Sequence, residues 1–141
     1  MKIAIAAAAG NIGSRVTAKI AEAGVQSILL GNDVSKLEAL KIKEAICTAV
    51  DLSDAGAVAQ ATAGAEALFW LVPPVSNYSS LNDWYRKVTA AGVEAVKANK
   101  IKRVVAVTSI GAGTRPNLGT VTYAGHIEKA FRQLKINFVA L

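Results

Sequence analysis

Short apolar segments alternate with helical patterns along the whole of this 141-residue chain. The apolar segments have the length of buried strands, whereas the stretches between them carry apolar residues at helical spacing. This alternation is typical of βαβ units, in which crossover helices join parallel strands. The predicted strands are 2–6, 26–30, 45–50, 66–72, 103–109 and 136–141, and the predicted helices are 12–24, 34–41, 54–62, 79–99 and 121–134.

Right-handed crossovers between such strands predict an α/β, three-layer Rossmann fold with a doubly wound parallel sheet in the order 3-2-1-4-5-6. Apolar residues make up 52% of the chain, which favours a sheet buried on both faces. The ligand crevice is expected outside the carboxyl ends of strands one and four, where the strand order reverses. We expect one domain over residues 1–141 and, because its last predicted strand is fully apolar, a C-terminal lobe beyond it.

The loop after the first predicted strand has the composition of a phosphate site. It is spaced like G-x-x-G-x-x-G, with alanine at its first position, and it leads directly into a helix. A helix N-terminus carries unpaired N–H groups and partial positive charge, and small residues let a pyrophosphate approach closely. The loop therefore predicts dinucleotide binding, with an alanine-rich turn and no ligand as the alternative. Its candidate residues are Ala7, Gly10, Asn11, Ile12 and Gly13.

The tip of the second predicted strand is where such a fold contacts the adenosine ribose. An acidic side chain there would accept from a 2′-hydroxyl, whereas a cation would pair with a 2′-phosphate. Asn32 at the tip is neutral, but Lys36 and Arg15 are near in sequence, which favours NADP over NAD. We expect Asp33 to cap the following helix rather than to contact the ribose.

Two further strand ends supply candidate cofactor contacts. Asp51 could accept from the adenine amino group while Leu52 lines the ring, although Asp51 could equally cap the next helix. Leu71 and Val72 end the fourth predicted strand, and Pro73 stops that strand and fixes the loop expected to wall the cofactor. An ordinary strand end is the alternative for this segment.

Charge and cysteine content limit the partners of the chain. The 16 basic residues exceed the 10 acidic ones, but they are scattered and not interleaved with aromatics, so we expect no nucleic-acid binding. Cys47 is the only cysteine, which indicates a reducing, cytoplasmic setting. No apolar segment has the length of a membrane span, and no Cys/His cluster predicts a metal site.

Three side chains are candidates for the reacting end of the crevice. Ser109 ends the fifth predicted strand, where a hydroxyl would face the nicotinamide. Tyr123 and His126 open the fifth helix, and His126 is the only histidine. A lone histidine is often structural, but this one could donate to a substrate oxygen or act as a general acid.

In combination, these stretches resemble the NmrA-like branch of the atypical short-chain dehydrogenase/reductase superfamily. That branch includes NAD(P)H-dependent quinone oxidoreductases and triphenylmethane-reductase-like enzymes. The resemblance runs through the whole chain in order. The residues that carry it are 7–13, 32–37, 51–54, 71–74, 103–109 and 126–128.

The resemblance implies a domain that binds NADP or NAD, with a small-molecule substrate held by a smaller C-terminal lobe. It implies that residues 10–13 hold the pyrophosphate. The family motif usually begins Gly-Ala-Thr-Gly, and here Ala7 and Ala9 replace its first glycine and its threonine. The position of Asn32 is often an arginine that grips the 2′-phosphate.

The superfamily's Tyr-x-x-x-Lys pair is incomplete, because the fourth residue after Tyr123 is Ile127. Members of this branch that lack the pair are thought to work by positioning hydride donor and acceptor. Our main hypothesis is therefore an NAD(P)H-dependent oxidoreductase that reduces a quinone or a similar acceptor. The alternative is a non-catalytic, NAD(P)-sensing regulator, while an isomerase or dehydratase of sugar nucleotides is disfavoured. The long helix 79–99 also permits a homodimer.

Overall fold

The computed structural model describes residues 1–75 and 78–141 as alternating strands and helices around one sheet. All strand pairs are parallel, and the order is β3-β2-β1-β4-β5-β6, so the predicted architecture is confirmed. The strands are β1 (Lys2–Ile5), β2 (Gln26–Gly31), β3 (Ile46–Ala49), β4 (Ala67–Trp70), β5 (Arg103–Ala106) and β6 (Asn137–Ala140). The helices are α1 (Asn11–Glu22), α2 (Val34–Glu38), α3 (Ala55–Ala61), α4 (Leu81–Asn99) and α5 (Thr120–Arg132).

The sheet separates two apolar cores. Helices α1 and α2 cover one face, and α3, α4 and α5 cover the other. Successive residues of a strand face opposite sides, so Leu68 and Trp70 pack under α4 and α5 while Phe69 packs on the α1 side. Trp70 and Phe131 are the largest of the fully buried side chains, and both lie in the core under α4 and α5.

Local polar groups and positive φ angles set the helix ends. Helix α1 ends before Gly24, whose φ of +69° is the left-handed conformation that glycine adopts without strain. Helix α2 was expected to reach residue 41 but ends at Glu38, and Lys41 beyond it has a φ of +53°. The Ser80 hydroxyl accepts from the Asp83 N–H at 3.3 Å, so α4 begins just after Ser80.

The carboxyl ends of β1, β4 and β5 lie side by side. The Ala6 N–H donates to the Phe69 carbonyl at 3.0 Å, and the Val107 N–H donates to the Trp70 carbonyl at 2.9 Å. Strand β5 itself ends at Ala106 rather than at the predicted residue 109. The loops that follow these three strands therefore open to one edge of the sheet, where the crevice was predicted. Across the residues described, no helix has the length and apolar character needed to cross a membrane.

Candidate functional site

The turn from β1 into α1 leaves backbone donors available to an anion. The Gly10 N–H donates to the Ala7 carbonyl at 2.9 Å, and the Ser14 N–H closes the first helical bond to Gly10. No side chain caps α1, and its first turn holds no acidic residue. The intervening N–H groups of residues 11–13 thus have no acceptor in the described part of the chain. They form the kind of helix N-terminus that binds phosphate.

Gly13 is the residue that lets α1 approach the strand end. It is buried, and a Cβ there would overlap the Ala7 carbonyl oxygen and lie 2.8 Å from the Ala8 Cα. All of these atoms belong to the backbone, so no side-chain rotation can make room. The close contact of helix and loop therefore requires glycine, as a dinucleotide loop does. Asn11 and Ile12, by contrast, are exposed at the loop surface.

Ala7 occupies the first position of the loop with a φ of +50°, a left-handed conformation that alanine adopts at a cost. Replacement by glycine is expected to raise the free energy of unfolding by about 0.5 to 1 kcal/mol, because the relief of strain exceeds the added chain entropy. Urea denaturation measures this. Lys100, with a φ of +54° at the end of α4, is the control. Lys100→Gly should give a similar gain and leave dinucleotide affinity unchanged, whereas a less stable Ala7→Gly would contradict the argument.

The corner after β2, where the sequence predicts the ribose contact, carries mixed charge. Asp33 caps α2 by accepting from the Ser35 N–H at 3.0 Å, which confirms the cap interpretation. The Lys36 ammonium lies 3.7 Å from the second Asp33 oxygen. Asn32 and Arg15 are both exposed. Arg15 forms no ion pair with a carboxylate among the described residues.

Asp51 is not the cap of the next helix, because Asp54 performs that role by accepting from the Ala57 N–H at 2.9 Å. One Asp51 oxygen accepts from both the N–H and the hydroxyl of Ser53, at 2.8 and 2.7 Å. The other oxygen has no donor in the described structure, and the carboxylate is exposed. The Leu52 side chain is only 6% exposed, so it packs in the core and only its backbone could line a ligand.

The loop after β4 is held by an aromatic contact that the sequence did not predict. The Trp84 indole N–H donates to the Pro73 carbonyl at 2.8 Å, and the Trp84 ring lies 5.0 Å from the ring of Tyr78. Leu71 is half-buried and Val72 is buried, so both anchor the loop to the sheet. A tryptophan near a proline turn is too common a pattern for the sequence to signal this bond.

Ser109 follows β5 at the same edge of the sheet. Its hydroxyl is half-buried, and the nearest acceptor is the Ile110 carbonyl at 3.5 Å, which is too long for a strong bond. The adjacent Thr108 hydroxyl donates to Glu128 of α5 at 2.9 Å. That bond ties the segment after β5 to α5, and the Ser109 hydroxyl has no acceptor closer than 3.5 Å among the described residues.

Tyr123 and His126 lie together on α5, with ring centres 6.3 Å apart. Tyr123 is half-buried against Tyr85 of α4 at 5.4 Å, and burial raises the pKa of Tyr85. His126 is exposed and borders a groove of about 660 Å³ between α4 and α5, beside Arg86 and Lys129. No residue of the 7–13 loop borders that groove. The position of His126 at the reacting end of the crevice therefore stays a prediction.

Metal binding and thiol chemistry find no support in the described residues. No group of three or more His, Cys, Asp or Glu side chains among them could hold a metal ion. Cys47 is half-buried on the α1 side of the sheet. Burial, followed by the charge of Glu38, raises the pKa of its thiol and keeps it protonated.

Comparison with solved structures supports the fold over nearly the whole chain. One similar structure is the NADPH complex of an NADPH-dependent quinone oxidoreductase from Escherichia coli, with 23% sequence identity and a TM-score of 0.77. The alignment covers 98% of this chain and 47% of that one. A triphenylmethane reductase from Citrobacter sp. with NADP(H) is 19% identical with a TM-score of 0.78, over 99% and 48%. This chain thus spans about half the length of these two proteins.

A third structure, a wide-type short-chain dehydrogenase/reductase from Veillonella parvula with NADP, is 17% identical with a TM-score of 0.75, over 99% of this chain and 67% of that one. Curated protein sequences contain no match to this chain. The family model described as NAD(P)H-binding matches residues 7–135, from the start of the phosphate loop to the end of the last crossover. The chain therefore belongs to the NAD(P)H-binding family, and its cofactor is a nicotinamide dinucleotide.

Proposed function

We propose that this protein is an NAD(P)H-dependent oxidoreductase that delivers hydride to a quinone or a similar flat acceptor. The observation that carries the proposal is the uncapped start of α1 behind a buried Gly13, at the edge where β4 and β5 also end. The solved reductases of similar fold support it, although they are longer chains. The bound cofactor would supply the hydride, and the protein would supply orientation and exclusion of water.

Each candidate cofactor contact has a proposed task in that complex. The loop residues 7–13 bind the pyrophosphate, and Asn32 with Lys36 contacts the ribose. Asp51 and the Leu52 backbone bind adenine. Leu71, Val72 and Pro73 form the wall beside the nicotinamide.

We propose NADP(H) as the preferred form because Lys36 and Arg15 can meet a 2′-phosphate. Calorimetric titration with NADPH, NADH, NADP and NAD tests this choice. A tenfold preference corresponds to about 1.4 kcal/mol.

Hydroxyl groups are the proposed donors to the acceptor oxygen. Tyr123→Phe is expected to lower kcat for reduction of a water-soluble naphthoquinone by NADPH about tenfold, because one hydrogen bond to the developing oxyanion is lost. Loss of NADPH absorbance measures the rate. Tyr85→Phe removes the neighbouring hydroxyl and is expected to leave kcat nearly unchanged. Equal rates for wild type and Tyr123→Phe would contradict the role of Tyr123, and an unimpaired His126→Ala would remove the acid role of His126.

A second candidate function is a non-catalytic sensor of NAD(P). The observation that favours it is Ile127, which is 2% exposed and occupies the place where a lysine would assist Tyr123. Preferential binding of the oxidised cofactor, with no NADPH consumption across a panel of quinones, would support the sensor. Turnover of any quinone would support the reductase.

A further inference from the structure

The groove between α4 and α5 gathers positive charge from both helices. Arg86 of α4 and Lys129 of α5 border it, together with His126 three residues before Lys129. None of the described residues that border the groove is acidic. Glu128, the acidic residue next to Lys129 in the sequence, is bonded to the Thr108 hydroxyl at 2.9 Å. The groove therefore presents cations, without a bordering carboxylate, to a space of about 660 Å³.

The wall of the groove combines apolar side chains with an unpartnered hydroxyl. Ala90, Val93 and Ala130 supply the apolar surface. Thr89 also borders the groove, is only 6% exposed, and its Oγ1 has no hydrogen-bond partner among the described residues. A buried hydroxyl without a partner costs free energy. Threonine in a helix has two favoured χ1 rotamers, so a rotation about this bond gives the hydroxyl a way to meet an acceptor in the groove.

These features complement a small anion with an apolar body. A guanidinium donates two parallel N–H groups to a phosphate or carboxylate, and an ammonium adds another charged donor. Apolar side chains beside them favour a ligand whose body is itself apolar. We propose that the groove between α4 and α5 is a binding site for a small organic anion such as an aryl phosphate. No residue of the 7–13 loop borders the groove, so this inference does not rest on the proposed function.

A second copy of the chain is a less favourable occupant of the groove. An isologous contact places the same surface on both partners, so it would bring Arg86 and Lys129 of one copy near those of the other. Like charges placed together at an interface repel, and no acidic side chain among the described residues that border the groove separates them. Charge complementarity therefore favours a ligand of opposite sign.

His126 provides a local probe of this site, because the only histidine of the chain gives a single imidazole Cε1–H signal in proton NMR. Phenyl phosphate, inorganic phosphate, benzoate and neutral phenol are titrated separately at constant pH. Phenyl phosphate is expected to shift the signal with saturation, half-complete at about 1 mM. Benzoate carries less charge and inorganic phosphate lacks the apolar ring, so each should bind about fivefold more weakly. Phenol should cause no saturable shift.

Two variants at neighbouring positions separate the groove from general charge attraction. Arg86→Gln should weaken the binding of phenyl phosphate about tenfold, because a charged hydrogen bond is lost. Lys87→Gln removes the same charge one residue further along α4, where the ammonium lies 5.6 Å from the centre of the Tyr78 ring and outside the groove. This control should change the affinity less than about twofold. Thr89→Val should weaken binding about threefold and raise the melting temperature of the ligand-free protein, since it deletes the unpartnered hydroxyl.

Several outcomes would overturn the inference. One is the absence of saturation by phenyl phosphate up to about 20 mM. Another is equal weakening in Arg86→Gln and Lys87→Gln, which would show that only the net charge attracts the anion. Competition by excess NADP would make the groove part of the cofactor site instead of a separate one. A His126 signal that shifts with protein concentration, and not with phenyl phosphate, would identify a second copy of the chain as the occupant.

Discussion

Gly13→Ala is expected to lower the free energy of unfolding by about 3 kcal/mol and to abolish detectable binding of NADPH. The added Cβ would overlap the Ala7 carbonyl oxygen and press on the Ala8 backbone. Only a shift of α1 away from the loop can relieve this contact, and the shift moves the N–H groups that would hold the pyrophosphate. Urea denaturation measures the stability, and calorimetric titration measures the affinity.

Gly56→Ala is the control for this substitution. A Cβ at Gly56 would meet only the Asp54 carboxylate oxygen, at an ordinary 3.5 Å, on an exposed position of α3. Alanine is the better helix former, so this variant should gain about 0.5 to 1 kcal/mol. Wild-type stability and affinity in Gly13→Ala would show that the helix does not contact the loop as closely as the structure places it.

Gly92→Ala should destabilise the protein by about 2 to 3 kcal/mol, through crowding in the larger core. A Cβ at Gly92 would lie 2.6 and 2.9 Å from two ring atoms of Trp70 and 3.0 Å from the Phe131 ring. Trp70 and Phe131 are both fully buried, so neither ring can move into solvent. The midpoint of urea denaturation is the measurement, and dinucleotide affinity of the folded fraction should change little.

The double variant Gly92→Ala with Trp70→Phe tests this explanation. The Trp70 indole N–H has no partner in the described structure, so phenylalanine there loses packing but no hydrogen bond. The smaller ring vacates the space that the new methyl group needs. The loss in the double variant should therefore be smaller than the sum of the single losses by about 1 kcal/mol or more. Strict additivity would contradict the proposed contact.

The fold could be predicted because its signals are local and repeated. Each buried parallel strand is a short apolar run, each crossover is an amphipathic helix, and the handedness of crossovers restricts the strand order. The loop 7–13 was predictable for the same reason, since its glycines stand directly between a strand and a helix. Errors were confined to element ends, such as the early end of α2 at Glu38 and of β5 at Ala106.

The candidate site was predictable only in part. The cap role of Asp33 followed from its position before a helix, but the choice for Asp51 stayed open until Asp54 was seen to cap α3. His126 was expected beside the cofactor; the structure places it on the border of the groove between α4 and α5, and its contact with the cofactor stays a prediction.

By itself, the sequence determined the parallel sheet, its strand order and the loop 7–13, because hydrophobic periodicity is a local signal and the right-handedness of crossovers restricts how the strands can pair. Only the tertiary structure decided which distant side chains meet: Trp84 on the Pro73 carbonyl, Thr108 on Glu128, and Lys87 near Tyr78. Those contacts depend on how far each helix is rotated and displaced as its side chains fill the core. That packing is a property of the whole folded chain, and no short stretch of residues encodes it.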